Sequence, residues 1–168
     1  LVSSDVPLTS DPFVGGAACI PSGMAWPLDV DGHPCMHLLS FPLSLCSLKS
    51  NRYAAAFVPY HDSKYYKQIS EEPASNHSKI LIYSTPGPPR NEYFDVDVKS
   101  TPRKLSVLNH NEIDTDKNYS SKLFNAPAWL QDEIIYPGHH CKMAIYGIDL
   151  AKSFEENRGL FSDGMVYV

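Results

Sequence analysis

Apolar residues in this chain arrive in short unbroken runs rather than at helical spacing. MHLLSFPL at 36–43, YAAAFV at 53–58 and KILIY at 79–83 are runs of strand length. The first is apolar on both faces apart from His37 and Ser40, the pattern of a strand buried on both sides. YFDVDV at 93–98 alternates Phe94, Val96 and Val98 with Asp95 and Asp97, which predicts a half-buried strand. Further strands are predicted at 104–108, at 142–148 (KMAIYGI) and over the last four residues, MVYV.

Helical signals are few. NAPAWLQDEI at 125–134 has a capping Asn125, a proline in its first turn, and Trp129 and Leu130 to bury, so it predicts a short helix. Residues 149–157 predict another, with Asp149 or Ser153 as cap, and 60–69 is a further candidate. Fourteen prolines break the rest into short segments joined by turns. The polar stretches SEEPASNHS at 70–78 and TPGPPRN at 85–91 read as loops. No internal repeat and no linker divides the chain. The expected architecture is α+β, mostly antiparallel sheet with a few short helices, in one compact domain over 1–168.

The segment before the first long strand is different. Leu1 to Ser22 has few periodic signals, holds Pro7, Pro12, Gly15, Gly16 and Pro21, and reads as an extended, looping entry. Trp26 precedes a proline and is pushed towards extended backbone. Asp31-Gly32 supplies the turn that sends the chain into 36–43.

Composition narrows the function classes. The chain has 168 residues, 43% hydrophobic and 20% charged, which suits a globular domain with its own core. No apolar run reaches the roughly 18–20 residues that cross a bilayer. It starts at Leu1 and stops within an apolar stretch, so trimmed ends are expected, with a missing leader left open. Net charge is −5, carried as −3 over 1–50, +2 over 51–104 and −4 over 105–168. An acidic balance disfavours nucleic acid and suits a basic partner. Cys19, Cys35, Cys46 and Cys141 contain no CxxC pair, which disfavours a zinc ribbon. The first three sit beside apolar residues, as buried thiols of a reducing compartment do, and a Cys19–Cys35 disulfide is the alternative in an exported form.

Three groups of residues can be set against known chemistries. Cys35 and His37, with His139, His140 and Cys141, offer soft and borderline ligands in two clusters, although neither has a standard zinc spacing. Asp29 and Asp31 beside Trp26 form a carboxylate pair, read more simply as two side chains of a solvent-facing turn. His61-Asp62 is an ordinary loop pair, and Tyr60, Tyr65 and Tyr66 suit either an aromatic contact surface or a sheet edge. No nucleophile elbow, Walker loop, HExxH or dinucleotide fingerprint is present. The acidic residues Glu112, Asp114, Asp116, Asp132, Glu133, Glu155 and Glu156 would, on one face, make a docking site for a basic partner.

Taken in order, Gly15-Gly16, Ile20-Pro21, Trp26-Pro27, Gly32-His33-Pro34 and Leu38-Leu39-Ser40-Phe41 resemble the N-terminal signature of the YwqG-like family of bacterial proteins. Ala126-Pro127-Ala128-Trp129-Leu130-Gln131, His140-Cys141-Lys142-Met143, Asp149 and Asp163-Gly164-Met165-Val166-Tyr167 are similar to its later elements. Ser40 stands where that family's first strand carries Gln, and Phe124-Asn125-Ala126 replaces a glycine pair, so no polar site is carried over. The family's members are largely of unknown function, and some look like immunity proteins that bind a toxin encoded beside them. The resemblance therefore implies a cytoplasmic, non-enzymatic bacterial protein, without cofactor or metal, that occludes the active site of a basic toxin such as a nuclease. The alternative is a metal- or small-molecule-binding enzyme using the histidine and cysteine clusters.

Overall fold

Proline-punctuated runs give short strands, eight among the described residues. A computed structural model describes residues 9–46, 49–59, 78–93, 100–105, 122–123, 143–146 and 165–167. Within these lie β1 (Phe13–Val14), β2 (Met36–Pro42), β3 (Tyr53–Val58), β4 (Lys79–Tyr83), β5 (Arg103–Lys104), β6 (Lys122–Leu123), β7 (Met143–Tyr146) and β8 (Met165–Tyr167). A single 3₁₀ turn, Leu43–Cys46, follows β2. The first five strands form one antiparallel sheet in the order β4-β3-β2-β1-β5, and the last three form a second in the order β6-β7-β8. Among the described residues the protein is mostly β, and no helix there is long and apolar enough to cross a membrane.

The strands predicted at 53–58 and 79–83 form with those limits, and the one at 36–43 ends a residue early, at Pro42. The strand expected at 104–108 begins one residue sooner and is described only to its pairing with β1. The 142–148 and C-terminal predictions correspond to β7 and β8. The helices expected at 60–69, 125–134 and 149–157 lie outside the described residues, as does all but Tyr93 of the 93–98 strand.

β2 is the centre of the sheet and is buried at every position from Met36 to Phe41. Its two faces look into two apolar clusters. On one, Val14, Leu39, Phe41, Ala54, Ala56 and Val58 pack with Met143 and Ile145 of β7, which is how the second sheet meets the first. On the other, Ala55, Phe57 and Tyr83 are covered by Ala18, Ile20, Trp26 and Cys35. The 15–35 stretch is therefore a lid of non-periodic chain laid over the sheet. Burial of its side chains holds it there, since each large apolar group removed from water contributes roughly 1.5–3 kcal/mol.

Specific contacts fix that cover. Trp26 meets Phe57 edge to face at 5.0 Å between ring centroids and donates its indole N–H to the Cys35 carbonyl at 2.8 Å. The Arg90 guanidinium lies 5.8 Å above the Trp26 ring and donates to the Met24 carbonyl. Ala18 and Arg90 exchange backbone hydrogen bonds of 2.9 and 3.0 Å, stitching the cover to the 85–90 segment. The Asp31-Gly32 turn forms as expected, with Gly32 at φ 85° and a bridge between Leu28 and Pro34 closing its base. Cys19 and Cys35 are buried free thiols, so the disulfide alternative is not realised.

Candidate functional site: the cavity beside His37

β2 carries one irregularity, and it organises the site. The register with β3 slips between His37 and Leu39: His37 pairs with Phe57, Leu39 with Ala56, and Leu38 is left over. Three residues apart on a regular strand, His37 and Ser40 would face opposite sides of the sheet. The extra residue puts them on the same side, where the Ser40 hydroxyl lies 2.8 Å from His37 Nε2. On the other edge of β2, the Leu38 carbonyl accepts from the Gly15 N–H at 2.8 Å and extends the pairing with β1 by one residue.

The other ring nitrogen sets the tautomer. His37 Nδ1 lies 3.1 Å from the Gly16 carbonyl oxygen, which can only accept. The proton is therefore on Nδ1, and Nε2 accepts the Ser40 O–H. Burial raises the pKa of the Tyr83 phenol, and the Ser40 hydroxyl pulls it down less strongly. The His37 ring, 2% exposed, lies between Phe13 and Phe57, each 5.4 Å away between centroids. Burial in this apolar setting pushes its pKa down to about 4, against the opposing pull of the nearby backbone carbonyls, so the imidazole is neutral at neutral pH.

Gly16 connects this pair to the surface. Gly15 and Gly16 both have positive φ, 69° and 67°. A Cβ on Gly16 would stand 2.8 Å from Pro102 Cβ and Cδ, so only glycine fits in either respect. Its N–H donates to the Ser100 hydroxyl at 2.9 Å. Beside it opens a cavity of about 290 Å³ whose described border is Gly16, Ala17, Met36, His37, Asn91, Tyr93 and Ser100.

The metal alternative fares differently at its two ends. His37 has both ring nitrogens engaged within the fold, and the Cys35 thiol is buried among Trp26 and Phe57. Burial first, and the nearby Asp29 charge second, raise the Cys35 pKa to about 11. Neither side chain presents an open ligand atom. His139, His140 and Cys141 lie outside the described residues, and so do Glu112, Asp114, Asp116, Asp132, Glu133, Glu155 and Glu156, with His61-Asp62 and Tyr60, Tyr65 and Tyr66.

The Asp29–Asp31 pair needs correction. Asp31 faces solvent, but Asp29 is buried and builds the turn. Its Oδ1 accepts from the N–H groups of Asp31 and His33 at 2.9 and 2.8 Å, and its Oδ2 lies 3.4 Å from His33 Nδ1. One ligand atom from each of Asp29, Asp31 and His33 falls within 4.8 Å of the others, a grouping that includes a histidine the sequence did not single out. Sequence reasoning also missed Ser100 and Asn91. The available signals were Ser40, a polar residue inside an apolar run, and the Gly15-Gly16 pair.

No family model matches the chain. No curated protein matches it either.

Proposed function

We propose that this chain is a non-enzymatic binding protein of the bacterial immunity type, which seats on a basic toxin and blocks its active site. The whole chain is read as one cytoplasmic α+β domain of YwqG-like kind. The observation that carries the reading is the outer strand of the five-stranded sheet. Ile80 and Ile82 are in register with Ala56 and Ala54, whose face is buried against the second layer, yet they are 53% and 45% exposed. A sheet edge with an uncovered isoleucine pair suits a protein contact, since exposed apolar edge strands are otherwise avoided. The net charge of −5 supplies long-range attraction for a basic partner. The enzyme alternative is weakened by the engagement of His37 and Ser40 with each other inside the core.

Co-expression with the product of a toxin gene beside this one tests the reading. The chain is expected to restore growth, to form a complex with the purified toxin, and to associate more slowly as salt rises. Ile80→Lys combined with Ile82→Lys should weaken that complex by more than about tenfold while leaving the fold intact. Neutralising Asp114 with Asp116, or Glu155 with Glu156, should slow association. A locus without a toxin gene, or a purified pair that forms no complex, overturns the proposal. One stoichiometric metal in the purified chain would favour the enzyme alternative instead.

A further inference from the structure

We propose that the cavity beside His37 is a binding site for a small, neutral, planar molecule carrying a carbonyl acceptor such as a carboxamide. This is independent of the toxin reading, which concerns the β4 edge. Three unusual features converge on this one place: a bulge at Leu38, two adjacent glycines at positive φ, and an imidazole buried in its neutral form. Bulges are over-represented beside functional sites, where they re-aim side chains for a purpose other than packing.

The lining states the ligand's chemistry. The Ser100 oxygen accepts from the Gly16 N–H, which leaves its hydroxyl proton to donate elsewhere. Asn91 Oδ1 accepts from the Tyr93 N–H at 3.1 Å; this fixes the amide's orientation and leaves its NH₂ to donate. Ser100 and Asn91 thus each bring a donor to the cavity, which suits an acceptor on the ligand. None of the described residues that border it is charged, so none of them offers an anion a counter-charge. Met36 and the Tyr93 ring offer the apolar part of the border. A volume of about 290 Å³ takes a molecule on the order of ten non-hydrogen atoms.

The test uses three probes of one shape on the full chain: benzamide, benzoate and toluene. Chemical shifts of the Met36 methyl and the His37 ring report occupancy. Benzamide is expected to move both along a saturable curve, with benzoate and toluene weaker by on the order of tenfold. Asn91→Asp keeps the acceptor for the Tyr93 N–H while replacing the NH₂ donors with an anionic oxygen. It should weaken benzamide by a similar factor without altering the spectrum of the empty protein elsewhere. Absence of a saturable shift with benzamide up to about 20 mM, below which any useful affinity would register, overturns the proposal. So do equal affinities for the three probes, or an unchanged affinity in Asn91→Asp.

Discussion

Lowering the pH should destabilise this protein through His37, and by an amount that follows from its surroundings. The ring is sealed between Phe13 and Phe57, donates from Nδ1 to Gly16 and accepts at Nε2 from Ser40. Protonating Nε2 would put a charge where burial opposes it and would turn an acceptor into a second donor facing the Ser40 proton. The folded-state pKa is accordingly about 4, against 6.5 for an ordinary histidine. Above 6.5 both folded and unfolded forms are neutral, and the stability His37 contributes is fully present. Between 6.5 and 4 the unfolded chain takes up a proton that the folded chain refuses. Stability then falls as pH falls, by up to about 1.4 kcal/mol per unit, and the total loss by pH 4 is on the order of 3 kcal/mol. For a domain with a typical stability of roughly 5–15 kcal/mol, that is a substantial fraction.

Carboxylates also titrate in this interval, so the measurement is a difference. Urea unfolding of the native chain and of His37→Gln, followed from pH 7.5 to 4, should give two curves that converge as pH falls. Glutamine retains an acceptor for Ser40 but carries no titrating proton, so the convergence isolates the ring. Nitrogen-15 shifts of the His37 ring should show a neutral imidazole protonated at Nδ1 down to about pH 4. A ring that titrates near 6.5, or two stability curves that run parallel, would refute the reasoning.

Gly16→Ala should cost about 3 kcal/mol in chemical denaturation, from the left-handed backbone and the clash with Pro102 together; a loss under about 0.5 kcal/mol would mean that the segment shifts freely. Asp29→Ala should cost about 2 kcal/mol by removing the acceptor of the Asp31 and His33 N–H groups, whereas Asp29→Asn, which keeps an oxygen there, should cost distinctly less. Trp26→Phe should cost about 2 kcal/mol because the Cys35 carbonyl loses its buried donor. Cys19 and Cys35, buried and with raised pKa values, should resist a thiol reagent at pH 8 in the folded protein and react promptly in urea, as mapped by peptide mass.

The contrast between β2 and β1 explains what the sequence could disclose. β2, β3 and β4 are continuous apolar runs bounded by prolines or polar residues, and each carries its own evidence in five to seven consecutive side chains. β1 has two residues, too few for any period, so its stretch reads as loop. Yet Phe13 and Val14 sit between β2 and β5, pairing with Ser40 and Leu39 on one side and Lys104 and Arg103 on the other. Its strand character is conferred by neighbours distant in sequence, not by its own pattern. The same holds for the site. Ser40 was visible as a polar interruption, and Gly15-Gly16 as a place of unusual backbone. That the two belong together depends on the Leu38 bulge, a property of the β2–β3 pairing that neither segment encodes alone. A one-residue slip reverses which side chains share a face. Here that slip converts two scattered polar residues into a hydrogen-bonded pair and turns the imidazole towards Gly16. Deleting Leu38 removes the bulge and leaves His37 and Ser40 two residues apart, still on one face of a regular strand. The ring should therefore keep its low pKa in that variant, and a ring that titrates near 6.5 would show that the bulge itself, not the shared face, holds the pair together.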